Sequence, residues 1–104
     1  MIVSNTETVP GREIAEILGL VTGNIVQARN IGRDIQAGLR SVVGGNVGVY
    51  TEMLATARSE ATQLMVQDAE KLNADAVVNV RYTTSAISQG MSEILAYGTA
   101  VRLR

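Results

Sequence analysis

The sequence has no cysteine, no histidine, no tryptophan and no phenylalanine, one proline, and only three aromatic residues, Tyr50, Tyr82 and Tyr97. Each absence closes a route. Without cysteine there are no disulfides and no thiolate metal sites, so a cytoplasmic setting is the expectation. With histidine missing as well, the side chains that hold zinc, copper and most soft heavy metals are gone. The same two gaps leave little for catalysis: Lys71 is the single lysine, acid–base work would fall to Asp, Glu or Tyr, and no nucleophile stands paired with a base. No enzymatic activity, metal or cofactor is expected. A net charge of −1 with scattered arginines gives no long-range pull on nucleic acid. No run reaches the roughly 18 apolar residues of a membrane span, and no basic start followed by an apolar block suggests a signal peptide. Neither nucleic acid nor membrane is an expected partner.

What is present is small and aliphatic. With 104 residues, 46% of them apolar, the chain is read as one domain, residues 1–104, with one core. Large aromatic side chains would each contribute about 150–250 Å² of burial; here Val, Ile, Leu and Ala must fill the core. Sharing surface between subunits is the simplest way for such a chain to gain burial, so a homo-oligomer is expected.

The chain is organised around residues 50–84. Leu54, Ala57, Ala61, Met65, Ala69 and Leu72 recur at steps of three and four, one stripe of a helix. That helix should start between Gly48 and Thr51, carry Glu52 in its first turn and Lys71 in its last, and stop at Asn73. From Ala76 the period drops to two: Ala76, Val78, Val80 and Tyr82 would share one strand face, and Val77, Asn79, Arg81 and Thr83 the other. The last segment, Ser92 to Leu103, pairs with Ala76 to Thr84 through a loop from Ser85 to Met91. Earlier, Met1 to Ser4 reads as a short strand and Pro10-Gly11 as a turn. In Glu13 to Ala28, Gly19 and Gly23 favour a long strand, bulged or closely approached at its glycines, with a helix over Arg12 to Leu18 as the alternative. Asn30 would cap a short helix through Ile31, Ile35, Leu39 and Val42, ended by Gly44-Gly45. The expected class is α+β: an antiparallel or mixed sheet with one long and one short helix, ordered strand, strand, helix, helix, strand, strand.

Five blocks, Gly19-Leu20-Val21-Thr22-Gly23, Asn30-Ile31-Gly32-Arg33-Asp34, Val43-Gly44-Gly45, Ala74-Asp75-Ala76-Val77-Val78 and Gly98-Thr99-Ala100-Val101, resemble the YbjQ-like family across almost the whole chain. The resemblance implies an α+β subunit in a homopentameric ring. The family has no established activity, and its members often carry a heavy-metal-binding label. Asn73 stands where glycine would be expected, a substitution that the left-handed backbone tolerates.

The label meets a poor ligand inventory. Met53, Met65 and Met91 read as gap-filling core rather than soft-ion ligands. Glu13 and Glu16 fall on opposite strand faces, and Asp68 and Glu70 on different sides of the helix. Gly44-Gly45-Asn46-Val47-Gly48 lacks the lysine and hydroxyl of a phosphate loop and reads as a connection. The candidates for an interface or ligand pocket are Arg33, Asp34, Arg40 and Arg58, with ion pairs as the plainer reading, and the strand residues Arg81, Glu93, Leu95 and Tyr97. If the final hairpin pairs residues of like parity, Ile94, Ala96, Gly98 and Ala100 face the helix with Ala76, Val78, Val80 and Tyr82. The other face, with Arg81 and Glu93 paired, then meets another subunit. The expected function is that of a non-enzymatic ring-forming homo-oligomer binding a small ligand or ion between subunits. A metal-binding module and an enzyme with an inter-subunit site are the rivals.

Overall fold

In a computed structural model of the chain, residues 1–28 and 48–104 are described. The elements run β1 (Ile2–Val3), β2 (Ile14–Ala28), α1 (Gly48–Lys71), β3 (Ala76–Ser88) and β4 (Met91–Leu103). They build an α+β unit: one mixed sheet of order β1-β3-β4-β2, with β1 parallel to β3 and β4 antiparallel to both its neighbours. The helix lies across one face, mainly over β2 and β4. The expected short helix from Asn30 lies outside the described residues.

In β2 the two glycines act differently. Gly19, at φ 137°, follows a register shift between Ile17 and Gly19, and a second shift lies between Ile14 and Glu16. Such bulges bend a strand and let it continue, so a 15-residue strand forms where a helix over Arg12 to Leu18 was the alternative. Gly23 is a place of close approach: a Cβ there would fall on the Ala61 carbonyl oxygen and the Met65 amide nitrogen, and within 2.9 Å of Leu64 Cβ. The helix backbone therefore rests directly on β2.

Ala57, Ala61, Met65 and Ala69 are fully buried along α1, with Leu54 partly buried beside them. Leu72, expected to finish the stripe, is 40% exposed because it lies beyond the last helical turn. Lys71 sits in the last turn as expected, but the first turn holds no acidic residue, and Glu52 falls just after it. The helix closes by a Schellman motif. Asn73, at φ 58°, donates its amide to Glu70 O at 3.0 Å, Ala74 donates to Ala69 O at 3.2 Å, and Ala74 packs on the core cluster containing Ala69.

The pairing of β3 with β4 departs from like parity at two points, between Val78 and Arg81 and, next to the turn, between Ala86 and Ser88. Tyr82 faces Ala96 and Thr84 faces Ile94, but below a register shift between Val78 and Arg81 the partners become Val77 with Ala100 and Ala76 with Val101. Asn79 sits at this bulge with φ 56°. The extra residue exchanges the faces: Val77 joins the helix-side core with Val80, Ile94, Ala96 and Ala100. Ala76 and Val78, expected on that side, pack on the other with Val101, Leu103, Val9 and Ile14. The hairpin is also longer than expected. Both strands run to Ser88 and Met91, and only Gln89 and Gly90, the latter at φ 77°, make the turn.

Three long neighbouring strands give the chain an extent of 53 × 27 × 16 Å and a radius of gyration of 16.9 Å, against about 13 Å for a compact domain of this size. The upper part of β3, Arg81 to Ser88, is exposed throughout.

Candidate functional site

Among the described residues two grooves flank the sheet, each holding an arginine. The first, about 460 Å³, is lined by Val3, Ser4, Asn5, Val80, Arg81 and Tyr82. Its polar groups are largely engaged. Arg81 Nη1 donates to Asn5 O at 2.9 Å and Val80 O at 3.0 Å. Ser4 Oγ and Thr6 Oγ1 share a hydrogen bond at 2.5 Å, and Thr6 Oγ1 donates on to Thr8 O at 2.6 Å. Arg81 thus fastens the N-terminal segment to β3, continuing the ladder in which Val80 N donates to Ser4 O and Asn79 N to Thr6 O.

The second groove, about 290 Å³, lies between the first half of α1 and the upper hairpin. Leu54 and Arg58, one helical turn apart, form one wall; Thr84, Ser85, Ala86, Ser92 and Ile94 form the other. Arg58 makes no ion pair among the described residues, where the pairs are Arg102 with Glu16 at 3.9 Å and Arg104 with Glu13 at 3.7 Å. Both of those are exposed and contribute about 0–1 kcal/mol each.

The face turned away from α1 is a third feature. Leu20, Thr22, Asn24 and Val26 of β2 stand opposite Thr99, Tyr97, Leu95 and Glu93 of β4. Among the described residues nothing covers this part of the sheet: Ile17 is 70% exposed, Leu20 71% and Val26 48%. Asn24 Nδ2 donates to Glu93 Oε2 at 3.1 Å. At the outer edge of β2 the Thr22 amide donates to Asp68 Oδ2 of the helix at 3.2 Å, blunting an otherwise open edge.

The sequence candidates divide accordingly. Arg33, Asp34 and Arg40 lie outside the described residues. Arg58 lines the smaller groove and Arg81 the larger, while Glu93, Leu95 and Tyr97 stand half-buried on the uncovered face. The expected pairing of Arg81 with Glu93 does not occur: the register puts Tyr97 opposite Arg81 and Ser85 opposite Glu93, and each charge has found another partner. Asn24, Thr84 and Ser92 belong to these sites and were not singled out from sequence, where no local pattern sets them apart. Among the described residues no three acidic side chains converge on a metal position. Glu13 and Glu16 face arginines, Asp68 holds the Thr22 amide, and Met65 is fully buried in the core. No helix among the described residues is long and apolar enough to cross a membrane.

Over residues 1–104 the sequence matches the YbjQ_1 family, described as "Putative heavy-metal-binding". A UPF0145 protein of Vibrio campbellii is 64% identical over 103 residues, covering 99% of both chains. Another from Archaeoglobus fulgidus is 61% identical over 104 residues, covering 100% of this chain and 96% of its own. A crystal structure from Pediococcus pentosaceus, of a protein with unknown function in the DUF74 family, has a TM-score of 0.64 at 18% identity, covering 100% of this chain and 98% of that one. At that identity the likeness concerns the fold alone. The full-length match and the identity to bacterial and archaeal relatives give the conclusion that the chain belongs to the YbjQ (UPF0145) family.

Proposed function

We propose that the protein works as a non-enzymatic, ring-forming homo-oligomer whose subunits meet through the uncovered sheet face and the strand edges beside it. The observation that carries this reading is the pair Ile17 and Leu20, 70% and 71% exposed on a sheet face that no described element covers. Burying such side chains stabilises by about 1.5–3 kcal/mol each. Around them Leu95 and Tyr97 extend the apolar centre, and Thr22, Asn24 and Glu93 supply a polar rim, the usual anatomy of an interface between subunits. The two sheet edges are unlike: β2 bounds one, and β3 beyond β1 bounds the other. Contact between unlike edges is heterologous and closes into a ring when the rotation per subunit divides a full turn. Five is the subunit number that the family resemblance implies. Native mass spectrometry tests the reading: a closed oligomer supports it, and a monomer at micromolar concentration ends it.

The side-chain inventory, with no histidine and no cysteine, supports a non-enzymatic role. The family description favours one rival, a metal-binding module. Elemental analysis of untagged protein decides between them, since one tightly held transition metal per subunit would replace the present reading.

A further inference from the structure

We propose that the groove between α1 and the upper β3–β4 hairpin binds a small organic carboxylate with a short aliphatic tail, its carboxylate held by Arg58. The described residues lining this groove belong to one chain, and the groove opens on the helix side of the sheet, away from the face assigned above to subunit contact.

The turn of α1 that carries Arg58 is anchored to the sheet. Thr62 Oγ1 donates to Arg58 O at 2.7 Å and lies 2.8 Å from Tyr82 Oη, tying this turn of α1 to β3. The guanidinium has no ion-pair partner among the described residues, in contrast to Arg81, whose Nη1 is bonded to two carbonyls. Thr84 and Ser92, on the helix-facing side of β3 and β4, bring two hydroxyls to the same groove, and neither makes a side-chain hydrogen bond among the described residues. Three polar groups thus converge without partners among the described residues, and no described acidic side chain lines the groove to repel an anion.

The ligand class follows from shape and charge. A guanidinium presents a planar fork that matches a carboxylate with two parallel hydrogen bonds. Its single positive charge balances a monoanion; phosphate, near a double charge at neutral pH, would remain partly uncompensated in a chain of net charge −1. Leu54, Ala86 and Ile94 give an apolar floor, with Ile94 2% exposed, that a bare inorganic anion would leave unused. The volume, about 290 Å³, lies at the lower bound of ordinary ligand sites, roughly 300–1,000 Å³. That suits a few carbons and excludes a nucleotide or a long acyl chain.

The test is ligand-observed NMR titration of the full chain with sodium hexanoate, hexan-1-ol and inorganic phosphate. Hexanoate should bind, and both other probes should bind at least about tenfold more weakly, since hexanol lacks the charge and phosphate the tail. Arg58→Ala should weaken hexanoate at least about tenfold through loss of charge-assisted hydrogen bonds. Ala86→Leu, which fills the floor and keeps the charge, should do the same, and both variants should retain the wild-type oligomeric mass and melting temperature. The proposal is overturned if hexanoate binding survives both substitutions, if hexanol or phosphate binds as well as hexanoate, or if Arg58→Ala changes the oligomer, which would make Arg58 an interface residue. A monomeric wild-type protein that still binds hexanoate through Arg58 would remove the ring and leave the groove standing.

Discussion

Toward α1 the sheet presents Val21, Gly23, Ile94, Ala96, Gly98 and Ala100, nearly all small and all buried; away from α1 it presents Ile17, Leu20, Val26, Leu95 and Tyr97, larger and in part openly exposed. In a chain that has to bury aliphatic surface, the order is the reverse of what size alone would give. The reason is distance. The helix backbone reaches β2 so closely that Gly23 has no room for a Cβ, and at Gly98 a Cβ would come within 2.7 Å of Val77 Cγ1 and 3.0 Å of Val78 O. The alanine stripe of α1 meets the alanines and glycines of the sheet, and stability there comes from dense contact between small groups. The other face keeps its bulk where, among the described residues, nothing covers it.

Adding bulk to the covered face should therefore have the largest effect. Gly23→Val puts its side chain into backbone atoms of Ala61 and Met65, which cannot move aside as a side-chain end can, so α1 must lift from β2. Loss of about 3 kcal/mol or more is expected, read as a lower urea midpoint by circular dichroism. Near-wild-type stability would show that the helix is not seated on Gly23. Met65→Ala probes the same face by removal. Met65 is the largest fully buried side chain, its neighbours on the stripe are alanines that cannot collapse into the gap, and about 2–5 kcal/mol should be lost. A cost below about 1 kcal/mol would mean a loosely packed layer.

Leu20→Asp applies a severe change to the opposite face. In an isolated subunit a residue 71% exposed tolerates a carboxylate at a cost within about 0.5 kcal/mol. In an assembled ring the same carboxylate would be buried without a partner and would break the contact. Light scattering should show the mass falling toward 11.0 kDa while the circular dichroism spectrum stays folded. If this variant keeps the wild-type mass, the uncovered face is not the contact. If it unfolds like Gly23→Val, the two faces do not differ as described.

Much of the covered face was legible in the sequence. The alanine stripe showed in its helical spacing, Asn73 marked the end of α1, and the glycines of β2 signalled both the bulge at Gly19 and the close approach at Gly23. The parity of β4 was readable because its pairing with β3 is regular from Ile94 to Tyr97, opposite Thr84 to Arg81. On β3 it was not. Val77, Val78 and Val80 are the same residue type, so no alternation of polarity betrays a one-residue insertion between them. The groove at Arg58 was hidden for another reason: its hydroxyls sit on strands far along the chain from the helix, and only the fold brings them beside the arginine. Arg81 and Glu93 satisfied the parity rule but not the register, and a rule that assigns faces says nothing about which residues stand opposite.

The smallest effect expected is also the most local, at the residue that exchanges the two faces. Asn79 holds φ 56°, a left-handed conformation that costs most L-residues about 1–2 kcal/mol and asparagine less. In this conformation its amide reaches Thr6 O at 2.9 Å and the next amide, of Val80, reaches Ser4 O at 3.0 Å, so the bulge docks the N-terminal segment as well as placing Val77 under the helix. Asn79→Ala should cost about 1 kcal/mol, and Asn79→Gly, which adopts this conformation freely, should cost less. Hydrogen exchange separates this from a general loss of stability. In Asn79→Ala the amides of Asn79 and Val80 should exchange faster, while those of Ala96 and Ala100 in the middle of the sheet follow only the global change. Equal exchange at all four, or a glycine variant less stable than the alanine one, would show that the asparagine side chain, not the backbone turn, holds this corner together.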